Sequence, residues 1–129
     1  MKRRHFIAIS VLSAIAMMMG SCSQKNNPGA TVEKFHYAIE KGEISEATSL
    51  LSSTVIDSLG EEKIKTSMSQ AVRNLQDKQG IKSIKINEEK VIGEVANVAY
   101  TITYGDDTEE DNTAQLIKED RQWKIEPSK

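Results

Sequence analysis

Disulfides are out of reach for this chain, because its 129 residues contain a single cysteine, Cys22. Whatever fold forms must close without a covalent staple. Histidine is almost as scarce, with only His5 and His36, so a zinc site built from His and Cys has too few ligands. The seven glycines are scattered. They form no Gly-x-Gly-x-x-Gly loop, no Gly-Lys-Ser/Thr phosphate cradle and no Gly-x-Ser-x-Gly elbow. No nucleotide, metal or other cofactor is expected. Aromatic side chains are few, at two Phe, three Tyr and one Trp. No apolar run reaches the roughly 20 residues that a membrane-spanning helix needs, since the longest, Phe6 to Met19, is broken by Ser10 and Ser13.

What is present begins at the amino terminus. Lys2, Arg3 and Arg4 precede that run and Gly20 and Ser21 follow it. A basic start, a short apolar core and small residues before a cleavage point are the parts of a bacterial export signal. Met19-Gly20-Ser21-Cys22 resembles the lipobox of bacterial lipoproteins, with Met19 where leucine is more usual. The resemblance implies a signal peptide over residues 1–21 and acylation of Cys22, which becomes the first residue. Two or three acyl chains hold a protein stably at a membrane, whereas one binds only marginally. Arg3-Arg4-His5-Phe6-Ile7 also resembles part of a twin-arginine signal. Export in the unfolded state is expected instead, because no cofactor site requires loading beforehand. The expected location is the bacterial cell envelope, facing the periplasm. No acidic run of the kind that sends some lipoproteins to the cell surface follows Cys22.

Removal of that segment leaves enough chain for one small domain with its own core. Lys2, Arg3 and Arg4 are its only basic residues, so of 17 Lys and Arg 14 remain against 19 acidic residues, a net charge of −5. Nucleic acid is therefore excluded as a partner, since phosphate binding relies on a basic surface.

Residues 22–30 read as the lipidated cysteine and a flexible tether, with Asn-Pro and Pro-Gly breakers, and residues 31–129 as a single domain. Thr31 is positioned to cap a first helix carrying Val32, Phe35, His36 and Ile39 on one stripe and ending at Gly42. A second helix is predicted from Ser45 to Ser52, and a third from Glu61 to Lys78, closed by Gly80. From Ile81 the apolar period shortens to two. Ile84 and Ile86 begin a strand, and Val91 to Tyr104 reads as one long strand with a bulge at Gly93 and with Val98, Tyr100, Ile102 and Tyr104 on one face. The acidic stretch Asp106 to Asp111 reads as a hairpin end. Asn112 to Lys118 returns with Leu116 and Ile117 on opposite faces, and Gln122 to Glu126 is a last short strand bearing Trp123 and Ile125. The expected class is α+β, with three amino-terminal helices packed on a curved antiparallel sheet of about four strands.

Pro28 before a helix with Val32, Phe35, Ala38 and Ile39, then Gly42-Glu43, Ala47, Leu50-Leu51 and finally Trp123-Lys124-Ile125, resembles the nuclear transport factor two-like fold. In particular it resembles small bacterial lipoproteins of that fold whose function is unassigned. The resemblance implies a cone with a pocket between the long helix and the sheet. Some members are isomerases, dehydratases or hydrolases using pocket Asp and His, and many bind partners without chemistry. Relatives often pair through the open sheet face, so a homodimer is one expectation.

His36 is the one imidazole beyond the signal segment, and its helical phase turns it inward. As a general acid or base it would need a second polar group facing it, for which Glu94, Asn97 and Tyr100 are candidates. The plainer reading is a core histidine bonded to a neighbour. The expected ligand pocket comprises His36, Asn97, Tyr100 and Trp123, although Trp123 on a strand under helices is more often core. The carboxylates from Asp106 to Asp111 lack the alternating order of a calcium loop and read as a solvated tip. The leading expectation is a membrane-anchored, non-enzymatic domain, held at the lipid membrane through acylated Cys22. It would bind a small apolar ligand or an envelope protein partner. The alternative is a cofactor-free isomerase or dehydratase using His36.

Overall fold

Asn27 opens the first helix by accepting a hydrogen bond on its side-chain oxygen from the Ala30 amide, at 2.8 Å. Pro28 occupies the first turn, where its missing N–H costs nothing. The computed structural model describes residues 27–126; the expected signal peptide over residues 1–21 and the expected acylation site Cys22 lie outside the described residues. Helix α1 therefore spans Pro28–Glu40, and the expected capping residue Thr31 sits inside it, buried. Pro28, Gly29 and Ala30 belong to this helix and not to a tether.

Among the described residues four helices form where three were expected. After α1 come α2, Ile44–Ser49, α3, Ser53–Leu59, and α4, Glu61–Asp77. Helix α2 stops before Leu50 because the next residues turn extended and join the sheet. Leu51 bridges Ile125 in parallel, the Ser52 amide donates to the Ile125 carbonyl at 2.9 Å, and the Ile125 amide donates to the Leu50 carbonyl at 2.8 Å. Ser52, fully buried, then caps the unforeseen α3. Its hydroxyl donates to the Glu126 carboxylate at 2.9 Å and accepts from the Val55 amide at 3.3 Å.

The sheet is antiparallel in the order β1 (Ile81–Ile92), β2 (Val95–Tyr104), β3 (Glu109–Glu119) and β4 (Gln122–Glu126). The α+β class with helices against a four-stranded curved sheet stands as expected, but two boundaries change. Val91 to Tyr104 is not one strand: Gly93, at φ +61°, and Glu94 form a two-residue hairpin loop, with Ile92 paired to Val95. A glycine at the first loop position is what such tight hairpins favour. The irregularities in register lie instead between Ile81 and Ser83 and between Ile86 and Glu88. Strand β3 starts at Glu109, so three of the acidic residues assigned to a hairpin end pair with β2.

Alternation along β2 decides where the core sits. Ala96, Val98, Tyr100, Ile102 and Tyr104 point to the helices and are buried, while Val95, Asn97, Ala99, Thr101 and Thr103 face the other way. Val32 of α1, Leu116 of β3 and Trp123 of β4 complete this layer. A second cluster, Ala38, Ile39, Ala47, Ile64 and Met68, joins α1, α2 and α4. Val32, Val98 and Leu116 are wholly enclosed, each contributing about 1.5–3 kcal/mol by burial. The open face of the sheet is mostly polar. On it Asn87 donates to the Thr101 hydroxyl at 2.9 Å, and Thr101 donates to Asp111 at 2.7 Å.

Helix α1 runs antiparallel to β1, which sets the ends of the molecule. Near its start, the Gly29 amide donates to the Glu89 carboxylate. At its end Glu40 accepts from the Ile81 amide at 2.6 Å.

Candidate functional site

Between α1, α3, α4 and the helix-facing side of β2 and β3 lies a cavity of about 560 Å³. It exists because the amphipathic stripe of α4 does not close fully on the sheet. Ile64 and Met68 are buried, but Ala71 and Leu75, one and two turns on, are only partly covered. The inner wall is apolar, formed by Leu51, Val55, Leu59, Ile64, Met68 and Ala71, with Phe35, Ile39 and Ile102 continuing it. Polar groups gather at the α4 carboxyl end, where Asn74, Asp77 and Lys78 face Tyr104 and Glu110. The charged and apolar parts are thus separated within one cavity.

His36 stands on the wall, carried there by the helical phase of α1. Its Nε2 lies 3.0 Å from the Tyr100 hydroxyl, and its ring meets the Phe35 ring edge-on at 5.4 Å between centroids. Burial pushes the imidazole down from 6.5 to about 4, against an opposing pull from Glu110. Burial likewise pushes the Tyr100 phenol up to about 12, with Glu110 adding to the effect. Both groups are therefore neutral near pH 7, and they share one hydrogen bond. That bond occupies Nε2 and leaves Nδ1 as the second polar atom of the ring.

The rim is held by Glu110. Its carboxylate accepts from Asn112 at 2.8 Å and from the Tyr104 hydroxyl at 3.4 Å, and lies 3.9 Å from Lys78 Nζ. Lys78 Nζ also sits 4.4 Å over the Tyr104 ring, a cation–π distance. Tyr104 has its phenol raised by burial and then by Glu110.

Of the four pocket residues expected from sequence, the structure brings together two. His36 lines the cavity and Tyr100 stands behind it as its partner. Asn97 is exposed on the open face, because it is an odd number of residues from Tyr100 along β2 and so points the opposite way. Trp123 is buried in the core under α1, with Lys118 Nζ 5.3 Å from its ring, and does not line the cavity. Glu94, the other candidate partner for His36, lies in the β1–β2 turn. Glu110 and Lys78 escaped the sequence reading, whereas Tyr104 was expected on the inward face of its strand with Tyr100. Glu110 was grouped with a solvated acidic tip, and only the β2–β3 register, which sets it opposite Ile102, reveals its inward side. Among the described residues no three His, Cys, Asp or Glu side chains converge as a metal site requires.

The family model described as Domain of unknown function (DUF4878) matches residues 21–126. No curated protein matches the sequence significantly. Among solved structures, the fold is similar to an NTF2-like protein from Campylobacter jejuni whose crystal structure carries a provisional transpeptidase assignment. The TM-score is 0.65 at 18% identity, covering 77% of this chain and 96% of that one. It is also similar to a SEC-C motif containing protein from Rhodopseudomonas palustris solved in solution, with a TM-score of 0.58 at 11% identity over 84% of this chain and 82% of that one. At these identities the likeness concerns the fold, which is NTF2-like.

Proposed function

The chain belongs to the DUF4878 family, and from that premise we propose that it is a lipid-anchored envelope protein whose α+β cone binds a small apolar molecule without reacting with it. The single observation that carries the binding role is the composition of the cavity. Its inner wall is aliphatic, its volume suits a small molecule, and its charged groups, Asp77, Lys78 and Glu110, stand at one end. An occupant with an apolar body and a polar end matches that layout. The anchor rests on Met19-Gly20-Ser21-Cys22 and the basic, apolar and small residues before it. Among the described residues no helix is long and apolar enough to cross a membrane, so in this reading attachment runs through acyl chains.

The enzymatic alternative has part of its geometry, an imidazole on the cavity wall with a hydroxyl 3.0 Å away. Its proton chemistry is poorly matched. A general acid or base works best with a pKa near the operating pH, and an imidazole held at about 4 is a weak base near pH 7 and carries no proton to donate as imidazolium. A protein partner or second copy on the open sheet face is supported less, because the Asn87–Thr101–Asp111 ladder offers water-like bonding and little apolar area.

Titration of the full chain with the fluorescent probe anilinonaphthalenesulfonate tests the binding role. Ala71→Trp places an indole in the cavity and serves as the comparison. The expected result is a saturable fluorescence increase that Ala71→Trp loses while still unfolding cooperatively. Background from the anchor's acyl chains is common to both proteins. An identical response from the two proteins removes the cavity as the binding site.

A further inference from the structure

The end of the sheet nearest the start of α1 is apolar where the rest of the open face is polar. Ile92 and Val95, at the β1–β2 hairpin, are 77% and 39% exposed on that face; Val91, which pairs with Ala96 and so lies on the other face, is 51% exposed. Ile92 pairs with Val95, and Val95 pairs with Ile117, so these three side chains form one row across three strands. Directly paired residues share a face. The next row inward, Lys90, Asn97 and Gln115, is polar. A soluble surface gives no reason for exposed branched aliphatics concentrated at a protruding tip.

The tip also lies beside the path to Cys22. The Gly29 amide is bonded to Glu89, and Glu89 precedes Ile92 by three residues, about 10 Å of strand. The five residues from Ser23 to Asn27 span at most about 18 Å even when fully extended. From the same point the opposite end of the sheet is about 20 Å away, since Glu89 pairs with Val98 and Tyr104 lies six residues further along β2. For a chain held by Cys22 on so short a leash, the hairpin tip is the nearer of the two ends to the bilayer.

From this juxtaposition the geometry points to a second membrane contact, in which Ile92, Val95 and Ile117 seat in the boundary between headgroups and acyl chains of the bilayer that holds the anchor. This rests on the lipid anchor proposed above. Charges around the tip are mixed, with Lys90 and Lys118 against Glu94 and Asp120. The contact therefore depends on apolar burial and not on headgroup charge, and it is the same on zwitterionic and anionic lipids. Its consequence is orientation. With the tip in the interface, the polar cavity rim at Lys78, Tyr104 and Glu110, at the other end of the sheet, points away from the bilayer. Ligand then enters from the aqueous side.

The test uses the full chain carrying Ile92→Cys, exported, purified from membranes and labelled with an environment-sensitive nitrobenzoxadiazole dye. It is reconstituted into phosphatidylcholine vesicles with and without brominated acyl chains, and Asp107→Cys at the far turn is treated identically. The mass of the purified chain first reads the anchor: a chain without acyl groups overturns the anchor and this contact with it. With acylation present, the expected result is blue-shifted emission at position 92, quenched by brominated lipid, and neither effect at position 107. Repeating the measurement with phosphatidylglycerol included should leave position 92 unchanged. Unquenched, water-like emission at position 92 on an acylated chain overturns the membrane contact and leaves the anchor standing. A blue shift that grows with protein density but resists brominated lipid assigns the tip to a second protein copy, and also overturns it. Val95→Cys repeats the measurement one row-mate away and must agree with position 92.

Discussion

His36 carries the most consequential chemistry of any single residue here, because its neutrality separates a binding cavity from a catalytic one. The ring is held by Tyr100 at 3.0 Å and flanked by Phe35. Its proton affinity is lowered chiefly by burial, from 6.5 to about 4. Between those two values the unfolded chain binds a proton that the folded chain refuses. The stability contributed by the neutral ring is therefore full above pH 6.5, declines as pH falls through the window, and levels off below about pH 4. A displacement of this size corresponds to no more than about 3 kcal/mol, and water admitted by the cavity lowers it. Urea denaturation at pH 7 and pH 5 should show a drop in stability that His36→Phe reduces, and the His36 imidazole signal should still be that of the neutral ring at pH 5. A ring that titrates near 6.5 contradicts this account of its environment.

At the scale of elements, periodicity found the helical stripes of α1 and α4 and the inward face of β2, because 3.6- and 2-residue repeats leave a direct trace in the sequence. Turns and short elements left a weaker one. Helix α3 has seven residues, and its identity depends on Ser52, whose capping role comes from contact with β4 and Glu126 distant in sequence. Gly93 reads equally as a bulge or a hairpin loop until the partner of Ile92 is known. The site was half legible for the same reason. Helical phase gave His36, whereas Glu110 and Lys78 meet through strand register and the α4 carboxyl terminus, which no local pattern encodes. One turn shows how closely these elements abut. A Cβ on Gly105 would lie 2.0 Å from the Gln79 carbonyl oxygen, a backbone atom beyond the end of α4. Gly93 has open space around it and only its positive φ to accommodate. Thermal unfolding of Gly105→Ala should show a loss of about 1–3 kcal/mol from overpacking. For Gly93→Ala the loss is about 1 kcal/mol, from the left-handed backbone alone. Equal losses would mean that the turn after Tyr104 yields freely.

At the scale of the whole molecule, the helices and the sheet form a cone around the apolar cavity, and in the proposed arrangement the hairpin end faces a membrane. The described domain closes without a disulfide because two apolar clusters, one between helices and sheet and one among the helices, share α1. The cavity is the gap left where α4 diverges from the sheet, and its polar rim lies opposite the end at which α1 begins. Beyond residue 21 the chain has one Met, one His and one Trp, namely Met68, His36 and Trp123. The first two line the cavity and the third does not. NMR of the processed chain, observing the Met68 methyl, the His36 imidazole and the Trp123 indole during titration with decanol, therefore tests the central claim without further labelling sites. Met68 and His36 should shift together and saturate while Trp123 stays in place; Met68 and His36 signals that do not move, or that move no more than Trp123, would contradict the cavity as the binding site.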